Sequence, residues 1–237
     1  PLVSLVDIGL MGNLGETKFL ASISIATAVM TMIIWSFAFL RMGTVGIVSQ
    51  LYGKSDYREI IRTLLRNFLI AIVIAILIIF FKPLILSLTK DFFFFFFDTQ
   101  KLIEIYISVR LLSIPAEFVI YILIGFYLGI QKTKVSSLLV ITLSILNILF
   151  SSFFVLTLNL DVFGVALGTL FASYISAIIF SFTTYNFIIK NFQVIPTFHR
   201  LIIPQKFLKL FVINFDIFIR TLFLTFSFFW ISYLGSK

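Results

Sequence analysis

Three carboxylates of this 237-residue chain fall inside apolar runs, Asp7, Glu117 and Asp216, out of only ten acidic residues in all. A charge within hydrocarbon costs at least ~3 kcal/mol, so such a residue faces a polar cavity, meets a partner or takes up a proton. Asp7 sits in the stretch PLVSLVDIGLMGNLG. Two readings of it stay open: a proton or cation site in a transport pathway, or an acid near a membrane surface, since only six residues precede it. Glu117 follows Pro115 by two positions, and Arg110 lies seven residues earlier on nearly the same helical face. The two either form a polar seam, or Glu117 takes part in binding at a proline kink. Asp216 and Arg220 are four apart, the spacing at which opposite charges meet on one helix face, so a structural ion pair is expected.

The chemistry these residues exclude is as informative. No HExxH, GxSxG, Walker A, glycine-rich dinucleotide turn or paired-carboxylate motif occurs, so the chain does not read as an enzyme. There is no Cys, which removes disulfides, iron–sulfur clusters and thiolate metal sites, and one His, His199, which leaves no histidine cluster. No cofactor is expected.

The elements that must position the three acids are membrane helices. Hydrophobic residues make up 61% of the chain and the mean hydropathy is +1.16, far above a soluble domain. With ~20 apolar residues needed per crossing, seven segments appear: residues 1–12, 19–51, 64–88, 103–130, 136–158, 162–189 and 212–234. The expected fold is all-α and polytopic. Alternate connections carry eleven and four Lys and Arg, which explains the net charge of +8 by topology rather than by nucleic acid and puts the N-terminus in the cytoplasm of a multi-pass plasma (inner) membrane protein. Residues 191–209 hold Pro196, His199, Pro204 and the run QKFLKLF, a cytoplasmic linker lying on the membrane surface. The division expected is therefore a bundle at 1–190, that linker at 191–209, and the start of a second bundle at 210–237. Six phenylalanines at 92–97 read as low complexity on the outer side. Gly43, Gly46 and Gly53, and the GxxxG pairs Gly125/Gly129 and Gly164/Gly168, mark places for close helix approach.

Taken in order, LVDIGLMGNLG, FLRMGTVGIVSQLYG, YISVRLLSIPAE with IGFYLGIQKT, Asn147 with GVALGTLFASY, and NFDIFIRT resemble the multidrug and toxic compound extrusion (MATE) family, DinF-like branch. The resemblance covers essentially the whole chain. It implies a secondary antiporter of twelve helices in two six-helix bundles, exporting organic cations or related amphiphiles in exchange for H⁺ or Na⁺. This chain then corresponds to the N-terminal bundle plus the first helix of the second, with the rest of the C-terminal bundle as a missing partner, and lipid and a small organic cation as its other contacts. Asp7 falls on the family's first-helix acid, taken to bind the coupling ion. Asn147 and Ser151 fall on the fifth helix, where many relatives carry Asn and Asp, and together with Glu117 and Tyr121 are cavity-lining candidates. Phe215 replaces an Arg common in that branch before Asp216. The alternatives are a lipid-linked oligosaccharide flippase of the same superfamily, whose members favour cavities richer in Arg and Lys, or a transport-inactive half-length membrane subunit.

Overall fold

The computed structural model describes residues 17–92 and 97–193, together with positions 9, 12, 207, 210, 212, 215–221, 223 and 227. Within them the chain runs as α1 (Thr17–Ser36), α2 (Phe39–Gly53), α3 (Tyr57–Phe80), α4 (Lys82–Phe92), α5 (Phe97–Arg110), a 3-10 turn (Leu111–Ser113), α6 (Ile114–Gly129), α7 (Thr133–Ser152) and α8 (Asp161–Phe187). Five of these stretches are long and apolar enough to cross a bilayer: Lys18–Gly53, Tyr57–Phe80, Thr99–Gly129, Thr133–Thr157 and Asp161–Phe192. They correspond to the second through sixth expected segments. Most of the first and seventh lie outside the described residues, as does most of the linker at 191–209.

The first of these spans is 36 residues long and is broken in the middle. At Phe37 and Ala38 the backbone switches to i−3 bonding, with Phe37 N–H donating to Ile34 O at 3.1 Å and Ala38 N–H to Trp35 O at 3.0 Å. Neither proline nor glycine is present at the break. Instead Phe37 and Phe39 pack inward, Phe37 lying 5.3 Å from the Phe118 ring on α6.

The third expected segment, 64–88, is corrected at both ends. The helix begins at Tyr57, because Asp56 caps it by accepting from Glu59 N–H at 3.1 Å, and the arginines that look like a loop are inside it. It stops at Phe80, and the chain restarts as α4 from Lys82 with Pro83 at a position where no N–H is needed. Pro115 acts similarly. The 3-10 turn tightens the chain just before it, and Ser113 Oγ–H donates to Arg110 O at 2.7 Å.

Lipid tails are as apolar as leucine, so the helices associate through close packing rather than through water exclusion. A Cβ on Gly125 would sit 2.7 Å from Arg41 O and 2.8 Å from Thr44 Cβ; one on Gly129 would sit 2.8 Å from Val48 Cβ. That GxxxG pair therefore sets the α2–α6 contact; Gly168 sets α7 against α8 in the same way, and Gly164 packs on Phe154 and Leu160 of the connection between them. Gly46 and Gly53 meet nothing within 4 Å, so the close approach expected there is absent. The outward faces carry exposed Ile72, Val73, Ile76, Leu77 and Phe80 on α3, and Ile178, Ile179 and Phe182 on α8, as a lipid-facing surface requires.

Candidate functional site

On α7 the spacing of Asn147 and Ser151 puts both on the buried stripe that also carries Ser136 and Leu139, and both are fully buried. Asn147 Nδ2–H donates to Thr169 Oγ1 on α8 at 2.8 Å. That leaves Asn147 Oδ1 and Ser151 Oγ buried without a hydrogen-bond partner. Ser151 is pressed against Gly168, where an added Cβ would fall 2.6 Å from Ser151 Cα. Only glycine permits this approach, and it holds the two helices where the Asn147–Thr169 bond forms.

The polar line continues along α8. Thr169, Ser173 and Ser176 follow at steps of four and three, within roughly 60° of one helix face. Ser173 Oγ and Ser176 Oγ are likewise buried and unpartnered, although hydroxyls elsewhere in the spans bond to the carbonyl four residues back, as Thr44 and Ser144 do. Further on, Thr184 Oγ1–H reaches Tyr127 OH on α6 at 3.0 Å. The arrangement offers several neutral oxygens with free lone pairs in an apolar bundle. Such a set suits water or a small hard cation, which takes oxygen ligands. No group of three or more His, Cys, Asp or Glu that could hold a metal occurs among the described residues. Asp7, the acid that would add charge to such a site, lies outside the described residues, and so does His199.

Glu117 and Arg110 meet directly. Arg110 Nη1 lies 2.5 Å from Glu117 Oε1, and Ser113 Oγ joins both, accepting from Arg110 at 2.9 Å and lying 2.7 Å from Glu117 Oε1. The carboxylate is thus engaged by a guanidinium and a hydroxyl. Tyr121 follows one turn later on the same side of α6, and the Arg41 guanidinium of α2 lies 5.8 Å from its ring centre. Arg66, which the charge count treats as a helix-end cation, is 1% exposed inside the bundle, with Nη1 2.8 Å from Glu59 Oε1. Close by, Asn67 Nδ2–H donates to Thr44 Oγ1 at 2.9 Å.

The expected pair of Asp216 and Arg220 is not formed. Both are exposed and no ion pair joins them among the described residues, because an exposed pair gains too little to hold two long side chains in one geometry. Phe218 on the same turn does dock, its ring 6.2 Å from Phe37 and 5.7 Å from Phe39. The phenylalanine run joins α4 to α5, and its central residues 93–96 lie outside the described part. Thr169, Ser173 and Ser176 were legible as hydroxyls at helical spacing in an apolar run, and Arg66 as a partner of Glu59; neither set stands out by residue type alone.

An all-helical bundle with five spans long and apolar enough to cross a bilayer among the described residues defines a polytopic helical membrane protein. The family profile described as MatE matches residues 1–153, and the chain belongs to that family. It is 27% identical over its full length to the DNA damage-inducible protein F of Escherichia coli (strain K12), covering 51% of that protein. A MOP-superfamily transporter from Pyrococcus furiosus shares the fold with a TM-score of 0.84 at 20% identity, over 96% of this chain and 50% of its own. A crystal structure of MATE in the bent conformation does so with 0.86, also at 20% identity and with the same shares. The chain spans about half the length of the relatives it matches. The Pyrococcus furiosus relative is described as a transporter.

Proposed function

We propose that the chain forms the ion-coupled half of a secondary antiporter that exports small organic cations or related amphiphiles in exchange for H⁺ or Na⁺ by alternating access. The observation that carries this reading is the pair of buried, unpartnered oxygens, Asn147 Oδ1 and Ser151 Oγ, held at the α7–α8 contact beside Thr169. Neutral oxygens set out in this way can share a dehydrated ion or an ordered water with one carboxylate, and Asp7 of the first segment is the carboxylate the family pattern supplies. Loading that acid with an ion removes its attraction for a cationic substrate. Exchange follows if ion and substrate each favour a different orientation of the two bundles. With Ser151 in place of a second acid, Asp7 is the single charge of the site, so one monovalent ion moves per cycle.

The topology proposed has the N-terminus in the cytoplasm of the inner membrane. With Arg41 and the buried Arg66 left out of the eleven, nine cations against four still favour that orientation. The test is substrate-driven proton or sodium flux in proteoliposomes holding the chain together with a C-terminal bundle. Asp7→Asn should abolish coupled flux while the protein stays folded. Undiminished coupled flux in that variant would remove Asp7 from the mechanism.

A further inference from the structure

Of the five arginines within the described spans, Arg58 is exposed at the start of its helix and Arg62 reaches Glu59 at 3.5 Å, while Arg41, Arg66 and Arg110 are not equally satisfied. Arg66 is answered by Glu59 at 2.8 Å and Arg110 by Glu117 at 2.5 Å. Arg41 has no carboxylate within 4 Å among the described residues, and its guanidinium rests on the Tyr121 ring at 5.8 Å. Its place inside an apolar span makes that arrangement informative. Arg41 lies within Lys18–Gly53, twelve residues or about 18 Å along the helix from Gly53. A guanidinium in an apolar span is stable when an oxyanion answers it, and its planar fork fits the paired oxygens of a carboxylate or phosphate.

The surroundings define what such a partner looks like. Gly125 packs on the Arg41 carbonyl, which fixes α2 against α6 and brings Arg41, Tyr121 and the Arg110–Ser113–Glu117 group to the same seam. The titratable and charged groups at this seam are two arginines, one glutamate and the Tyr121 phenol, a sum of one positive charge. Met42, next to Arg41 in the chain, and Leu112, between Arg110 and Ser113, are exposed apolar side chains. We propose that Arg41 and Tyr121 form a recognition site for the oxyanion end of an amphiphile. The proposal rests on the transporter reading and narrows its substrate class to apolar molecules that carry a carboxylate or phosphate beside a cationic group.

Equilibrium binding to the purified full chain in a neutral maltoside detergent tests this, with dodecyl phosphate and dodecyltrimethylammonium as probes below their micellar concentrations. Two charge-assisted bonds predict at least about ten-fold tighter binding of the phosphate. Arg41→Gln should erase that preference, and Arg41→Lys, which keeps the charge but not the fork, should retain part of it. Inorganic phosphate is the third probe. Competition by it assigns recognition to the head group alone, lack of competition assigns it to the tailed molecule, and either supports the site when Arg41→Gln removes binding. Equal affinity for the two amphiphiles, or an unchanged preference in a folded Arg41→Gln or Arg41→Lys protein, would overturn it. Binding needs no ion gradient, so failed antiport with intact phosphate binding would refute the coupling mechanism and leave this site standing.

Discussion

Replacing Gly168 by alanine tests whether the α7–α8 contact is as close as the site requires. The new Cβ would lie 2.5 Å from Ser151 N and 2.6 Å from Ser151 Cα, both backbone atoms of the facing helix. Ordinary contact begins near 3.4 Å, so the helices must separate by ~0.9 Å, an overpacking that typically costs about 1–3 kcal/mol. Gly46→Ala is the matched control. Nothing lies within 4 Å of its Cβ, so that change gains helix propensity, up to ~1 kcal/mol, with no clash. For a chain of this size each kcal/mol moves Tm by about 2–4 °C. Thermal unfolding in detergent should therefore drop by several degrees for Gly168→Ala and stay level or rise for Gly46→Ala. The same separation strains the 2.8 Å Asn147–Thr169 bond, so coupled flux should fall in the first variant alone. Indistinguishable melting temperatures for the two variants would refute the packing argument and with it the geometry of the oxygen site.

Glu117→Ala leaves Arg110 buried with its main counter-charge gone, and should destabilise by about 3–5 kcal/mol, whereas a double change of Arg110 and Glu117 to Met should recover most of the loss; a double-mutant cycle by thermal unfolding measures both. Ser173→Ala and Ser176→Ala each remove a buried hydroxyl that has no partner, and should leave stability unchanged or raise it by up to ~1 kcal/mol. If either change lowers the melting temperature by several degrees, the hydroxyl has a binding partner that the packing alone does not supply.

The spans were legible because length and hydropathy suffice to mark a membrane crossing, and the two GxxxG pairs were legible as packing sites. Their partners were not, since nothing in the spacing says that Gly125 faces Arg41 or that Gly168 faces Ser151. The start of α3 was misread for a definite reason. Arg58, Arg62 and Arg66 resemble a cytoplasmic loop, yet Asp56 followed three residues later by Glu59 is a helix-start signal, and Glu59 is placed to pair with Arg62 and Arg66 at 3.5 and 2.8 Å. The break at Phe37–Ala38 had no proline or glycine to announce it, because it is set by ring packing against Phe118 and Phe39, a tertiary effect. Within the oxygen site, Asn147 and Ser151 came from the family pattern, and Thr169 from the structure.

The contrast between the paired charges and the unpaired oxygens suggests how one bundle serves both rigidity and exchange. Arg66–Glu59 and Arg110–Glu117 are held by short contacts, and separating either pair in hydrocarbon leaves two uncompensated charges. They suit a part of the protein that moves as a rigid body. Asn147, Ser151, Ser173 and Ser176 carry no formal charge, so their oxygens can gain and lose a water or an ion without such a penalty. In the proposed cycle, exchange belongs on the α7–α8 line, with the single charge it needs supplied from another helix. A carboxylate at position 151 would place that charge permanently inside the line. Ser151→Asp is then the substitution that most directly alters the ion requirement of the proposed cycle: it should raise the number of ions moved per substrate and lower the melting temperature, because Ser151 Oγ is the atom nearest Gly168 and the larger carboxylate overpacks that contact.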